Sequence, residues 1–198
     1  MDIRITGHLN GTQMKELKKL YQSAFPASEK KPFWLIQKKR REGITEILGL
    51  INREEQLVGL AITIAWQDLL LLDYFAIAED MRGQGCGAQA LRLLQDRYQG
   101  KRLLLEIETP DVPSENHQQR LRRRLFYQSC GMDSMDYHVG LFGVEMEIMT
   151  FQCQVSFHEY HAIFSGVYGK HFASRVTLVL KREGAEIPKI QKQKTGNS

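Results

Sequence analysis

The spacing of apolar residues changes character twice along the chain. Between residues 12 and 24, Leu17, Leu20, Tyr21 and Ala24, followed by Phe25, recur at helical spacing with lysines on the other side. This predicts a helix capped by Thr12 and ended by Pro26. A first strand is expected over residues 2–9, and a second, basic helix over 32–41, closed by Gly43. From Thr45 the pattern shortens. Segments 45–51, 57–66 and 69–78 are rich in Ile, Leu and aromatic residues and are separated by short polar breaks, which reads as an antiparallel meander.

A glycine-rich turn follows. Residues 88–98 then carry Leu91, Leu94 and Tyr98 on one helical stripe, closed by Gly100, and 102–108 is a new apolar strand. Strand–helix–strand implies a parallel pair with a right-handed crossover. Residues 114–129 predict a basic helix with Leu121 and Leu125 inward and Gly131 after its end. A hairpin over 137–142 and 144–151, turning at Gly143, a helix over 157–168 and a last strand over 174–180 complete the order. Tyr160, Phe164, Tyr168 and Phe172 recur every four residues, a stripe expected to pack on the sheet. The fold class is therefore α/β with a mixed sheet: antiparallel strands first, then a central βαβ unit.

Composition adds bounds. The 198 residues are 42% hydrophobic and 25% charged, which suits one globular domain with an appendage. The 27 Lys+Arg against 23 Asp+Glu give a net charge of +4, concentrated at 38–41, 120–124 and after Lys181. A weak positive field suits a polyanionic cofactor. Without aromatic interleaving or a reading motif it does not suit specific nucleic-acid recognition. The start of the chain has no apolar signal core, and the longest apolar run is too short to cross a bilayer. Cys86, Cys130 and Cys153 have no metal-ligand spacing. The expectation is a cytoplasmic protein with no membrane segment and no metal.

The chemistry concentrates in FAIAEDMRGQGCGAQAL, residues 75–91. A strand ends, an acidic loop follows, and Gly83, Gly85 and Gly87 introduce a helix. Glycines let backbone N–H groups approach a ligand, and a helix N-terminus adds unpaired donors and partial positive charge, a seat for a pyrophosphate. Arg82 adds a full charge at the rim. Two ligand classes fit. Gly85-x-Gly87-x-x-Ala90 matches the dinucleotide fingerprint, with Glu106 or Glu108 placed to meet a ribose. That fingerprint ordinarily opens a parallel sheet, whereas here it follows antiparallel strands.

Arg82-x-x-Gly85-x-Gly87 resembles the Arg/Gln-x-x-Gly-x-Gly/Ala signature of the GNAT superfamily of N-acetyltransferases. LFYQSCGM, residues 125–132, resembles that family's Phe-Tyr-x-x-x-Gly-Phe helix end, with Met132 in place of the aromatic. The resemblance spans about residues 2–151. It implies a GNAT domain over 1–151; beyond it the residue pattern gives a C-terminal helix and strand extension over 152–180 packed on that domain, and a basic, mobile tail over 181–198. The resemblance implies acetyl-coenzyme A as cofactor, its pyrophosphate held by Arg82, Gly83, Gln84, Gly85, Cys86, Gly87 and Ala88. Its pantetheine arm would lie along backbone at Phe75, Ala76 and Ile77, where the parallel strands splay. The N–H of Ile77 would serve the developing oxyanion, and Tyr127 would be the general acid. Transfer would be direct, in a ternary complex.

The base stays open. The glutamate that some family members carry on the fourth strand is Leu71 here. Asp73, Glu108 and Glu29 are candidates, as is bulk water. Arg120 replaces an asparagine that touches pantetheine in many members and is expected to be solvated, as are Arg122–Arg124. Asp73, Glu106 and Glu108 hint at a cationic acceptor, small molecule or peptide. A homodimer is compatible with this reading. The alternatives are a non-catalytic acyl-coenzyme A-binding regulatory module and a dinucleotide-binding oxidoreductase.

Overall fold

The computed structural model describes residues 2–27 and 29–181. The apolar runs become strands β1 (Ile3–Thr6), β2 (Thr45–Asn52), β3 (Leu57–Trp66), β4 (Leu69–Ile77), β5 (Arg102–Glu108), β6 (Met132–Leu141), β7 (Val144–Phe151) and β8 (Val176–Leu180). They form one sheet in the order β1-β2-β3-β4-β5-β7-β6-β8. The helices are α1 (Gly11–Ala24), α2 (Phe33–Arg41), α3 (Cys86–Arg97), α4 (His117–Ser129), α5 (Phe157–Tyr168) and the short α6 (Lys170–Ala173).

Neighbouring strands are antiparallel except β4 and β5, which α3 joins as a parallel pair. That pair runs only from Leu69↔Arg102 to Leu72↔Leu105, although β4 continues to Ile77 and β5 to Glu108. On the other side of β4, Ile62 pairs with Tyr74 but Thr63 pairs with Leu72, so Asp73 is an extra residue in a bulge. A bulge bends its strand and increases the local twist. It lies where β4 parts from β5, and the two strands splay from there on.

Each face of the sheet is buried under helices. Leu17 and Tyr21 of α1 pack with Ile47, Ile62 and Tyr74, and Tyr160, Ile163, Phe164 and Val167 of α5 pack with Ile64, Leu71, Leu104 and Ile148 on the same face. The opposite face carries Leu91 and Leu94 of α3 and Tyr127 of α4 against Leu70, Leu72, Leu105 and Ile107. The stripe of aromatics on α5 thus packs on the sheet as its spacing implies. α5 docks closely: a Cβ on Gly166 would fall 2.0 Å from the Trp66 ring.

Several local expectations need correction. The cap of α1 is Asn10, whose side chain accepts from Gln13 N while the Gln13 side chain accepts from Asn10 N; Thr12 lies inside the helix. This reciprocal box satisfies two end donors at once, which a lone Thr12 could not. α3 starts at Cys86, two residues earlier than its apolar stripe suggests, because Gly85 at φ 80° turns directly into it. α4 does not bury its leucines. Arg124 and Tyr127 are its buried residues, and Leu125 is 36% exposed. α6 occupies the stretch before β8 that periodicity left unassigned. The tail over 182–198 lies outside the described residues.

Candidate active site

The glycine loop between β4 and α3 is built from backbone. Gly83 and Gly85 have φ of 73° and 80°, a region side-chain-bearing residues rarely adopt, and a Cβ on either would meet nothing within 4 Å. The amides of Gly83, Gln84, Gly85, Gly87 and Ala88 donate to no backbone carbonyl among the described residues. Open space, unpaired donors and the positive end of α3 coincide, which fits an anionic group such as a diphosphate. Gly87 has another reason to be glycine: a Cβ there would lie 3.0 Å from the Phe126 ring, so it lets α3 approach α4. Cys86 is buried in the first turn, in the position of a small apolar residue. Arg82 is exposed and its Nε donates to the Ile77 carbonyl at 3.2 Å.

The splay supplies further donors. Ala78 N donates to Val58 O on β3 at 2.9 Å. Hydrogen bonding alternates along an antiparallel strand, so Ala76 also turns its backbone to β3. Phe75 and Ile77 turn theirs toward β5, past the last paired residues Leu72 and Leu105. Of the three β4 residues expected along a pantetheine arm, these two face the opening.

Carboxylates gather on the α1/α5 side of the splay. Asp73 and Glu106 stand one position beyond the last β4–β5 pair. Asp73 is bound to Lys31 Nζ at 2.7 Å, with side-chain exposures of 4% and 12%. Glu106 accepts from Tyr160 Oη at 2.6 Å. Burial, then the Asp73 charge, pushes the Glu106 carboxyl up to about 7. Glu106 is partly exposed, so it stands at the floor of the splay rather than in sealed core. Glu29 is also raised, by burial and then by Glu108. Glu108 is taken by Arg120 Nε at 3.0 Å and by Asn116 Nδ2 at 3.1 Å. Arg120 also donates to the Thr109 carbonyl at 3.2 Å, so it is bound to the β5 end and not solvated as expected.

Tyr127 occupies the other face. It packs with Leu72, Leu105, Ile107 and Phe126, is 7% exposed, and its hydroxyl makes no hydrogen bond among the described residues. Burial pushes its phenol up to about 12. It therefore keeps its proton at neutral pH, as a general acid must.

Arg124 overturns the expectation of a solvated basic face. Its Nε donates to Glu147 Oε2 at 2.6 Å, and its two terminal nitrogens reach Asp111 at 3.0 and 2.9 Å. Ser134 donates to the other Glu147 oxygen. A buried guanidinium satisfied on both sides can replace leucine on the inner face of a helix. It ties α4, and hence Tyr127, to β7 and to the loop after β5.

With this geometry in place, the comparisons with known proteins are informative. The acetyltransferase (GNAT) family matches residues 14–132, and the chain belongs to that family. Among solved structures, a GNAT-family protein from Bacteroides thetaiotaomicron is similar at 20% identity and a TM-score of 0.69, covering 84% of this chain and 99% of the other. An aminoglycoside 6'-N-acetyltransferase complexed with coenzyme A is similar at 13% identity and a TM-score of 0.60, covering 79% and 100%. Spermidine N-acetyltransferase from Vibrio cholerae, in complex with CoA and spermine, is similar at 13% identity and a TM-score of 0.59, covering 75% and 94%. No curated protein matches the sequence. The chain is an acyltransferase that uses acetyl-coenzyme A. Among the described residues no helix is long and apolar enough to cross a membrane.

The acid cluster was only partly legible beforehand. The sequence offers Asp73, Glu29 and Glu108 as bases, and Glu106 only as a charge near an acceptor or a ribose. Its signal was available: Glu106 alternates with Leu104 and falls opposite Asp73 once the strands are paired in parallel. Lys31 carried no signal at all.

Proposed function

We propose that the chain transfers acetyl from acetyl-coenzyme A to a primary amine carried on a cationic acceptor, by direct attack in a ternary complex, with Glu106 as general base and Tyr127 as general acid. The observation that carries this reading is the splay itself: a carboxyl raised to about 7 on one face and a protonated phenol on the other.

Acetyl-coenzyme A, when bound, supplies the thioester carbonyl under attack. The loop amides from Gly83 to Ala88, with Arg82 at the rim, hold its diphosphate, and the backbone of Phe75 and Ile77 orients its arm. Glu106 removes a proton from the incoming ammonium. Glu108 is held by Arg120 and Asn116, and Asp73 pairs with an ammonium, that of Lys31 when no acceptor is bound, so Glu106 is the better base. A carboxyl near 7 matches the working pH, where proton transfer is most efficient. Phe75 N–H takes the oxyanion role. It lies two residues past Asp73, about 7 Å along the strand, whereas Ile77 lies twice as far from the base. Tyr127 gives its proton to the departing sulfur and is reprotonated by the second proton that the nitrogen loses as the amide forms. Among the described residues no activated nucleophile stands at the splay, so no acyl-enzyme step is invoked.

The acceptor is cationic because the cleft floor carries Glu29, Asp73, Glu106 and Glu108. The spermidine and aminoglycoside enzymes of the same fold act on polyamines or aminoglycosides, which is compatible with that charge. A cytoplasmic location is part of the same reading, on the odd number and wide spacing of Cys86, Cys130 and Cys153. The test is release of coenzyme A thiol from acetyl-coenzyme A across a panel of alkyl diamines, aminoglycosides and lysyl peptides. Amine-dependent release that rises with pH through about 7 is expected. Tight acetyl-coenzyme A binding with no release for any amine would instead favour the regulatory module.

A further inference from the structure

Lys31 stands on the connection between α1 and α2, and its backbone is pinned by two tyrosines. Its N–H donates to Tyr74 Oη at 2.9 Å, and its carbonyl accepts from Tyr21 Oη at 2.8 Å. Lysines on connections ordinarily carry their ammonium out to water. This one turns inward, to 2.7 Å from Asp73 Oδ1. The rings of Tyr74 and Tyr168 lie 5.2 and 5.4 Å from Nζ. One carboxylate and two aromatic rings therefore enclose a primary ammonium, an arrangement that favours a cation over water. Beside it, Glu106 has Tyr160 on one oxygen and no partner among the described residues on the other.

We propose that this enclosure is the acceptor's seat, that its ligand is an unbranched primary alkylammonium, and that Lys31 is a tethered stand-in which must withdraw to admit it. Three features carry the inference. The occupant already shows the chemistry that fits: a straight methylene stem ending in an ammonium. The seat adjoins the splay, because Asp73 is the bulge residue two positions before Phe75. Withdrawal is local, because Lys31 belongs to no strand or helix and its release breaks one ion pair and two tyrosine hydrogen bonds. An occupied seat lowers the acceptor's apparent affinity by the fraction of time it is open. Lys31 thereby sets a threshold of acceptor concentration. The seat's role in catalysis rests on the acetyl-transfer reading above; its binding of amines does not.

The experiment uses the full chain without coenzyme A. Lys31→Ala vacates the seat, and the protein is titrated calorimetrically with pentane-1,5-diamine and with Nα-acetyl-lysine methylamide. The variant is expected to bind at least one of them about tenfold more tightly than the unaltered chain. The preferred compound tells a free diamine from a lysine side chain. Lys31→Met refills the seat with an uncharged stem and is expected to show no such gain. On the unaltered chain, saturating amine is expected to speed hydrogen exchange at residues 29–33, and this measurement decides alone if Lys31→Ala does not fold. Equal or weaker amine binding by Lys31→Ala overturns the proposal, as does amine binding that leaves exchange of that segment unchanged or slower. Amine binding with displacement of Lys31 but no acetyl transfer refutes the catalytic reading and leaves the seat standing. Acetyl transfer with an amine KM unchanged in Lys31→Ala does the reverse.

Discussion

The two halves of the site sit at the same end of the sheet and are made in opposite ways. The cofactor half is a run of consecutive residues whose ligands are backbone amides, with Gly83 and Gly85 holding conformations that only glycine adopts cheaply. The acceptor half takes side chains from four separate places: the α1–α2 connection, β4, β5 and α5. Its electrostatics depend on several of them together, since Asp73, Lys31 and Tyr160 all bear on Glu106. A backbone site is insensitive to most side-chain changes and has no titrating group of its own. A side-chain site is tunable residue by residue and responds to pH. Substitutions on one half are therefore expected to leave the other half's binding intact.

The largest expected effect is at the base. Glu106→Gln is expected to lower kcat by about a hundredfold to ten-thousandfold with acetyl-coenzyme A affinity unchanged, read by steady-state kinetics beside calorimetry. The remaining activity should lose its rise through pH 7. A parallel change in cofactor affinity would break the division between the halves. Gly85→Glu attacks the other half with a side chain strained at φ 80° and a charge facing the diphosphate. Acetyl-coenzyme A affinity is expected to fall about a hundredfold, about 2.7 kcal/mol, with alkylamine binding unaltered. Tyr127→Phe should slow turnover by about a hundredfold, the low end for a general acid, at constant affinity for each substrate. No loss at all would remove Tyr127 from the acid role.

The pH dependence of stability sharpens the comparison further. Glu106 titrates near 7 when folded against an ordinary 4.5. The folded chain then holds a proton that the unfolded chain has lost, so this group's contribution falls as pH rises from about 4.5 to 7 and stays lost above. At about 1.4 kcal/mol per pKa unit, Glu106→Gln is expected to gain up to about 3 kcal/mol relative to the unaltered chain at pH 8, and nothing at pH 4. Chemical denaturation at the two values checks this. The smallest effect is remote. Gly166→Ala pushes α5 off Trp66, costing about 1–3 kcal/mol by overpacking and lowering Tm by about 2–4 °C for each of them. Because α5 carries Tyr160 and Tyr168, the amine KM should rise while cofactor affinity holds.

Most of the strands were readable because continuous apolar runs and the single strand–helix–strand unit are local patterns. The glycine loop was readable for the same reason: adjacent residues make it, so spacing is geometry. α4 was misread because Arg124 counts as polar until Glu147 and Asp111, from elsewhere in the chain, are beside it. The sequence by itself determined the family and the cofactor's class, and it marked Tyr127 as the residue to propose as acid, because each depends on residues within one or two consecutive segments. Only the tertiary structure decided which partner each carboxylate has and that a lysine sits among them. Burial, pairing and charge coupling are properties of residues 30 to 75 positions apart in sequence, brought within hydrogen-bond reach by the register of β4 on β5 and the packing of α5.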